Sequence, residues 1–192
     1  MPCRRKWQGI SVVAGLRLWF NYGDLSQTYE ASERMDTTRQ SKRIADSRFT
    51  LSALMGPHDA NSMGNVHGGV IMKMVDEAGA LVAMRHANLP VVTVAIDSMT
   101  FREPIYLRNL VLCKAELTYV GRTSMEVYVE VSAEDPLTGD TRVTNQAYCV
   151  YVALTPEGRP ASVPDIAFET DQERARAAQA AERQAYRKRN RV

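Results

Sequence analysis

The chain has 192 residues, 45% of them hydrophobic, enough for one cored domain with tails. Charge is uneven: residues 1–46 carry 8 basic and 5 acidic side chains, residues 47–170 carry 9 and 14, and residues 171–192 carry 7 and 3. The acidic middle argues against nucleic-acid binding by the domain itself, while the basic tails suit either phosphate contact or plain solvation. Cys3, Cys113 and Cys149 are too few and too scattered for a disulfide framework or a zinc pattern. No apolar run has the length of a membrane span.

Residues 1–46 read as an N-terminal extension, poorly structured or helical. It begins "MPCRRKWQGISVVAGLRLWF", a basic start and an apolar patch in the manner of a signal peptide. Arg17 interrupts the patch and no small-residue cleavage site clearly follows, so a cytoplasmic location is expected. The next stretch, "SQTYEASERMDTTRQSKRIADS", is polar and weakly periodic, a solvated helix or a disordered arm. A domain is expected over 47–168. In it "RFTLSALM" is a strand ended by Gly56-Pro57. A loop then leads to a helix at about 68–88, whose apolar positions Ile71, Met74, Val75, Ala78 and Val82 recur at helical spacing.

After Pro90 the period becomes two. Strands are expected at 91–101, 109–120, 124–135 and 142–155, with tight turns at Gly121-Arg122 and from Pro136 to Asp140. In the third of these, Met125, Val127, Val129, Val131 and Ala133 alternate with Glu126, Tyr128, Glu130, Ser132 and Glu134, which predicts one wet face. Pro156, Pro160 and Pro164 close the domain. Thr170-x-x-Glu173 has the form of a capping box opening a charged C-terminal helix over 169–192. Strand, long helix and a four-stranded meander make an α+β domain, one helix against an antiparallel sheet. Such a sheet hides its remaining apolar surface by extending across a partner, so a dimer is expected.

The familiar nucleophile-elbow, phosphate-loop, dinucleotide and zinc-protease motifs are absent. His58, Asp59 and His67 lie in one loop, but loop polarity explains them and no metal is expected. His86 near the helix end reads as a partner for the helix dipole. The chemistry concentrates in "DANSMGNVHGGVIMKMVDEAGALVAMRHAN", residues 59–88. Here a long apolar helix starts on Gly68-Gly69, where free amides and a partial positive charge can polarise a carbonyl. Seven residues after Gly69, Asp76 returns to nearly the same face, about 10 Å along the axis. An electrophile held at the helix start with a base further along is a hydrolytic arrangement. Asn61, just upstream, offers both donor and acceptor for a water. The same features also fit a plain helix with tight glycine packing and solvated acids.

This stretch, with "VTVAIDSMTFREPI", "GRTSMEVYVEV", "VTNQAYCVYVAL" and "VPDI", resembles the hot-dog-fold acyl-CoA thioesterases, both the brain-type cytosolic acyl-CoA hydrolases and their small bacterial relatives. The resemblance covers about residues 50–166. It implies an antiparallel sheet wrapped around one long central helix. It implies Asn61 as an active-site residue and Asp76 as base or nucleophile. It further implies that the thioester carbonyl is received at His67-Gly68-Gly69 and that Arg122-Thr123-Ser124 lies near the CoA moiety. The substrate would be acyl-CoA and no cofactor would be needed. The mammalian enzymes split the Asn and the Asp between two tandem units, whereas one unit here carries both. That implies a homodimer as the minimum, with Asn61 and Asp76 meeting across its interface, in the extreme a trimer of dimers, and no nucleic-acid or membrane partner. Two other readings remain: a hydratase or dehydratase of the same fold using His67, and a non-catalytic acyl-CoA-binding module.

Overall fold

Period-two patterning from Val91 to Ala153 becomes three strands of 11 residues and one of 13: β3 (Val91–Phe101), β4 (Leu110–Val120), β5 (Ser124–Glu134) and β6 (Thr141–Ala153). They are preceded by β1 (Ser41–Arg43), the short helix α1 (Ile44–Ser47), β2 (Phe49–Leu54) and the long helix α2 (Gly68–Ala87). They are followed by β7 (Asp165–Ala167) and the helix α3 (Asp171–Arg189). The structure is a computed structural model describing residues 39–189; the expectations for residues 1–38 lie outside it. Residues 41–46, read from sequence as part of the extension, form β1 and most of α1. β1 pairs in parallel with β7, aligning Lys42 with Ile166.

The main sheet is antiparallel with strand order β2-β4-β5-β6-β3. The expected four-stranded meander is therefore only partly present. Strands β4, β5 and β6 follow one another by hairpins, but β3 pairs with β6 at one edge while β2 takes the other. Local periodicity sets a strand's faces without choosing its neighbours, so this crossing was not visible in the pattern.

Helix α2 lies on the inner face of the sheet. Ile71, Val75, Ala78, Val82 and Ala83 are buried against Val111 and Cys113 of β4, Val127 and Val129 of β5, and Ala147 and Cys149 of β6. Full burial of Val75 and of Val82 contributes about 1.5–3 kcal/mol each. The helix stops at Asn88, whose φ of 53° is left-handed and whose amide closes on the Met84 carbonyl at 2.8 Å. Lys42 of β1 donates to the Arg85 carbonyl and to Asn88 Oδ1 at 3.4 Å, placing a cation at the negative helix end. This corrects the reading of His86. Its ring is fully buried, burial lowers its pKa, and Nε2 lies 2.9 Å from the Pro164 carbonyl. Neutral His86 ties α2 to the segment before β7, and Lys42 is the dipole partner.

The outer face of β5 is only partly wet: Tyr128, Glu130 and Glu134 are half-buried, while Glu126 and Ser132 are buried. Helix α3 crosses it, and Glu126 is 1% exposed. Its carboxylate accepts from Thr118 Oγ1 at 2.7 Å and from Arg183 Nη2 at 2.7 Å, and it also pairs with Arg187. Arg187 reaches Asp97 of β3 as well. The Arg183 guanidinium lies 3.8 Å from the centre of the Tyr148 ring. Arg176 and Arg48 share Glu116, the latter at 2.8 Å. The helix starts on the expected capping box: the Glu173 amide donates to Thr170 Oγ1 at 3.2 Å, and Glu173 Oε2 accepts from the Thr170 amide at 3.3 Å. A polar position on a strand reads as solvated unless the arginines that cover it, some 60 residues on, are known.

Edge strand β3 leaves Val94 48% and Phe101 52% exposed. A long, partly apolar edge of this kind is a ready template for pairing with another chain.

Candidate active site

Asn61 sits in a tight loop that it organises itself. Its Oδ1 accepts from the Met63 amide at 2.8 Å and the Asn65 amide at 3.2 Å. Its backbone amide donates to the Asn65 carbonyl at 2.7 Å, and Gly64 makes the turn possible at a φ of 82°. From the sequence, Asn61 was expected to offer both a donor and an acceptor to a water. The loop occupies the acceptor, which leaves the Nδ2 donor.

Asn61 lines an open cleft of about 370 Å³ together with Asn65, Gly68, Phe101 and Arg102. Gly68 is the first residue of α2, and a side chain there would press on the Phe101 ring at 3.3 Å. His67 is the helix N-cap, its Nδ1 accepting from the Gly69 amide at 2.9 Å. The Gly69 amide is therefore taken by the neighbouring ring, and Gly68 is the glycine that meets the cleft.

Asp76 is not among the residues of that cleft. Eight residues into α2 from Gly68 is about 12 Å along the axis. Half-buried there, Asp76 meets the sheet: its Oδ1 accepts from Thr93 Oγ1 of β3 at 2.6 Å, and the Tyr151 hydroxyl of β6 lies 3.4 Å from the same oxygen. Within one chain, then, the helix start and the carboxylate do not share one cleft as the spacing implied. Thr93 and Tyr151 escaped the sequence reading. Thr93 is an ordinary strand residue, and its link to Asp76 depends on β3 lying under the middle of α2.

Arg122, Thr123 and Ser124 form the β4–β5 turn. The Gly121 amide donates to the Ser124 carbonyl at 2.7 Å, and the Arg122 carbonyl accepts from the Val163 amide at 3.1 Å. The Arg122 side chain is exposed, and the turn does not border the cleft of Asn61 and Gly68.

Burial pushes the Cys113 and Cys149 thiols up to about 12. Both stay protonated near neutral pH, so neither is a nucleophile. Among the described residues no group of three or more His, Cys, Asp or Glu side chains is arranged to hold a metal ion, and no helix is long and apolar enough to cross a membrane.

The arrangement has counterparts. Residues 63–139 match the model of the thioesterase superfamily. A cytosolic acyl coenzyme A thioester hydrolase of Mus musculus is 37% identical over 137 residues, 68% of this chain but 36% of that protein, so the chain spans about a third of its length. The acyl-CoA thioester hydrolase YciA of Escherichia coli is 34% identical over 134 residues, 68% of this chain and 98% of that protein. Among solved structures, an apo-hexameric acyl-CoA thioesterase superposes with a TM-score of 0.75 at 36% identity, covering 78% of this chain and 96% of that one. The acyl-CoA hydrolase of Staphylococcus aureus, solved with butyryl coenzyme A and coenzyme A, gives 0.71 at 32% identity, covering 77% and 90%. Alanine variants of that enzyme replace an asparagine, an aspartate 15 residues later and a threonine 17 residues after that. With the five-stranded sheet curled on its helix and nearly the whole of a bacterial relative matched, the chain belongs to the hot-dog acyl-CoA thioester hydrolases of the thioesterase superfamily.

Proposed function

We propose that this protein hydrolyses acyl-CoA to a free fatty acid and CoA, at sites formed between two copies of the chain. The observation that carries this is the state of Asp76: Thr93 holds one carboxylate oxygen at 2.6 Å, and Oδ2 accepts no hydrogen bond among the described residues. Asn61, Asp76 and Thr93 repeat the two spacings of the residues replaced in the S. aureus enzyme, 15 and then 17. That supports treating the three as one working set.

In this mechanism the thioester carbonyl oxygen lies in the cleft at the start of α2, facing the Gly68 amide and the Asn61 Nδ2 donor. Asp76 comes from the partner subunit. Its free Oδ2 takes a proton from water as the oxygen attacks the carbonyl carbon. The C–S bond then breaks and CoA leaves as a thiolate that picks up a proton. In the second route Oδ2 attacks directly, expelling the thiolate and leaving a mixed anhydride for water to cleave. Neither route calls for a metal or redox cofactor. The exposed edge of β3, next to Thr93, supports a homodimer as the minimum unit, and the hexameric relative supports further assembly. The cytosolic mammalian relatives support a cytoplasmic site of action. His67 is occupied as a helix cap, so nothing favours the hydratase reading.

The test is release of free thiol from acyl-CoA by the purified protein in the presence of chelator. Turnover should persist. Turnover that vanishes with chelator and returns with zinc would refute the proposal.

CoA carries anionic phosphates, and residues 47–170 are acidic, with 9 basic against 14 acidic side chains. Arg183 and Arg187 are committed to Glu126 and Asp97, which leaves exposed Arg122 as the better phosphate contact. Arg122→Ala should raise KM for acyl-CoA several-fold with kcat nearly unchanged, because a remote charge contact binds ground and transition states alike. Steady-state kinetics at low and high salt check this; the effect should shrink as salt screens exposed charge.

A further inference from the structure

Helix α2 carries a glycine where a helix least favours one. Gly79 is the twelfth of its 20 residues and is buried. An interior helix glycine is less stable than alanine by about 1 kcal/mol. The reason is visible across the interface with the sheet. A Cβ on Gly79 would overlap the Tyr151 hydroxyl and approach two of the ring carbons to 3.0 Å. Tyr151 needs that space. It is wholly buried at the inner face of β6, and its hydroxyl donates to the Asp76 main-chain carbonyl at 3.0 Å, with Asp76 Oδ1 at 3.4 Å. Burial pushes the phenol far above its ordinary range, so it remains a hydrogen-bond donor at any working pH.

We propose that Tyr151, admitted by Gly79, is a positioning residue for hydrolysis: it grips the α2 turn that carries Asp76 and, with Thr93, fixes the carboxylate so that Oδ2 faces the substrate. The inference rests on the proposed role of Asp76 and extends it to two residues outside the substrate cleft. Thr93 holds Oδ1 from the edge strand. Tyr151 reaches the same turn from the next strand inward, through the second lone pair of a helix carbonyl. Between them the backbone and the side chain of Asp76 are both restrained. Thr93 alone leaves the carboxylate free to swing about its single bond to the hydroxyl, and a carboxylate held loosely loses the alignment on which attack depends. No proton passes through Tyr151.

The test is a set of three variants: Tyr151→Phe, Gly79→Ala, and the two combined. Tyr151→Phe keeps the ring and its packing. It should lower kcat about three- to tenfold, the scale of one hydrogen bond to a neutral carbonyl, with KM changed less than about twofold. Gly79→Ala should lower both melting temperature and kcat, because the new methyl displaces the phenol. In the combined variant the hydroxyl overlap is gone, and the methyl still presses on two ring carbons at 3.0 Å, so only part of the strain is relieved. Its melting temperature should rise above that of Gly79→Ala, while kcat stays at the Tyr151→Phe level. That split separates positioning from packing, since a purely structural role would restore kcat along with stability. An active wild type whose Tyr151→Phe variant turns over normally would overturn this inference and leave the proposed hydrolysis intact. A wild type inert toward acyl-CoA would overturn the proposed function and the inference with it.

Discussion

Asp76→Asn should lower kcat for acyl-CoA by roughly two to four orders of magnitude, the range for loss of a positioned general base. The amide matches the carboxylate in size and still meets Thr93 Oγ1, so the fold and oligomer should be retained. What disappears is the oxygen that accepts a proton or attacks the carbonyl. KM should move little, because the carboxylate acts on the reacting atoms and not on CoA. The check is single-turnover thiol release beside circular dichroism of the same sample. Near-normal turnover would remove Asp76 from the mechanism.

The second large effect concerns stability. Replacing Arg183 and Arg187 together by Met should destabilise the protein by about 3–5 kcal/mol, the usual consequence of leaving a buried charge without its partner. Glu126 is 1% exposed, and Thr118 would be its remaining donor. Met keeps much of the packing under α3, so the loss reports on charge more than on volume. Adding Glu126→Gln removes that charge and should recover much of the loss. Urea denaturation of the three proteins checks it. A shift below about 1 kcal/mol would mean that water reaches Glu126 as readily as it reaches a surface carboxylate.

These two predictions differ in how far the sequence foretold them. Asp76 was legible because an acid on an apolar helix that opens on two glycines is locally odd, and because residues 59–88 form a long motif. Helix α2 and the strands β4 to β6 were legible from their periods of 3.6 and two. The capping box of α3 was legible because all its parts lie within four residues. The Glu126 cluster was not. Its members come from β3, β4, β5 and α3, and each is unremarkable in its own surroundings. Thr93 and Tyr151 were hidden for the same reason: Thr93 meets Asp76 only after β3 crosses to the β6 edge, and Tyr151 only once α2 lies on β6. Gly79 did leave a trace, a glycine inside a helix, but the side chain that requires it lies 72 positions away. The loss of Asn61's acceptor to its own loop is a matter of turn geometry that spacing does not encode.

In the proposed dimer each site takes Asn61 from one subunit and Asp76 from the other. This sharing is tested most directly by mixing two impaired variants, Asn61→Ala and Asp76→Asn, under conditions that allow subunits to exchange. In a symmetric dimer, a hybrid of the two has one site with both residues intact and one with neither. Random exchange of an equal mixture makes half of the dimers hybrids, so thiol release should recover to about a quarter of the wild-type rate. If each site were built within a single chain, the mixture would show only the average of the two variants however long it was exchanged, and that result would contradict the account.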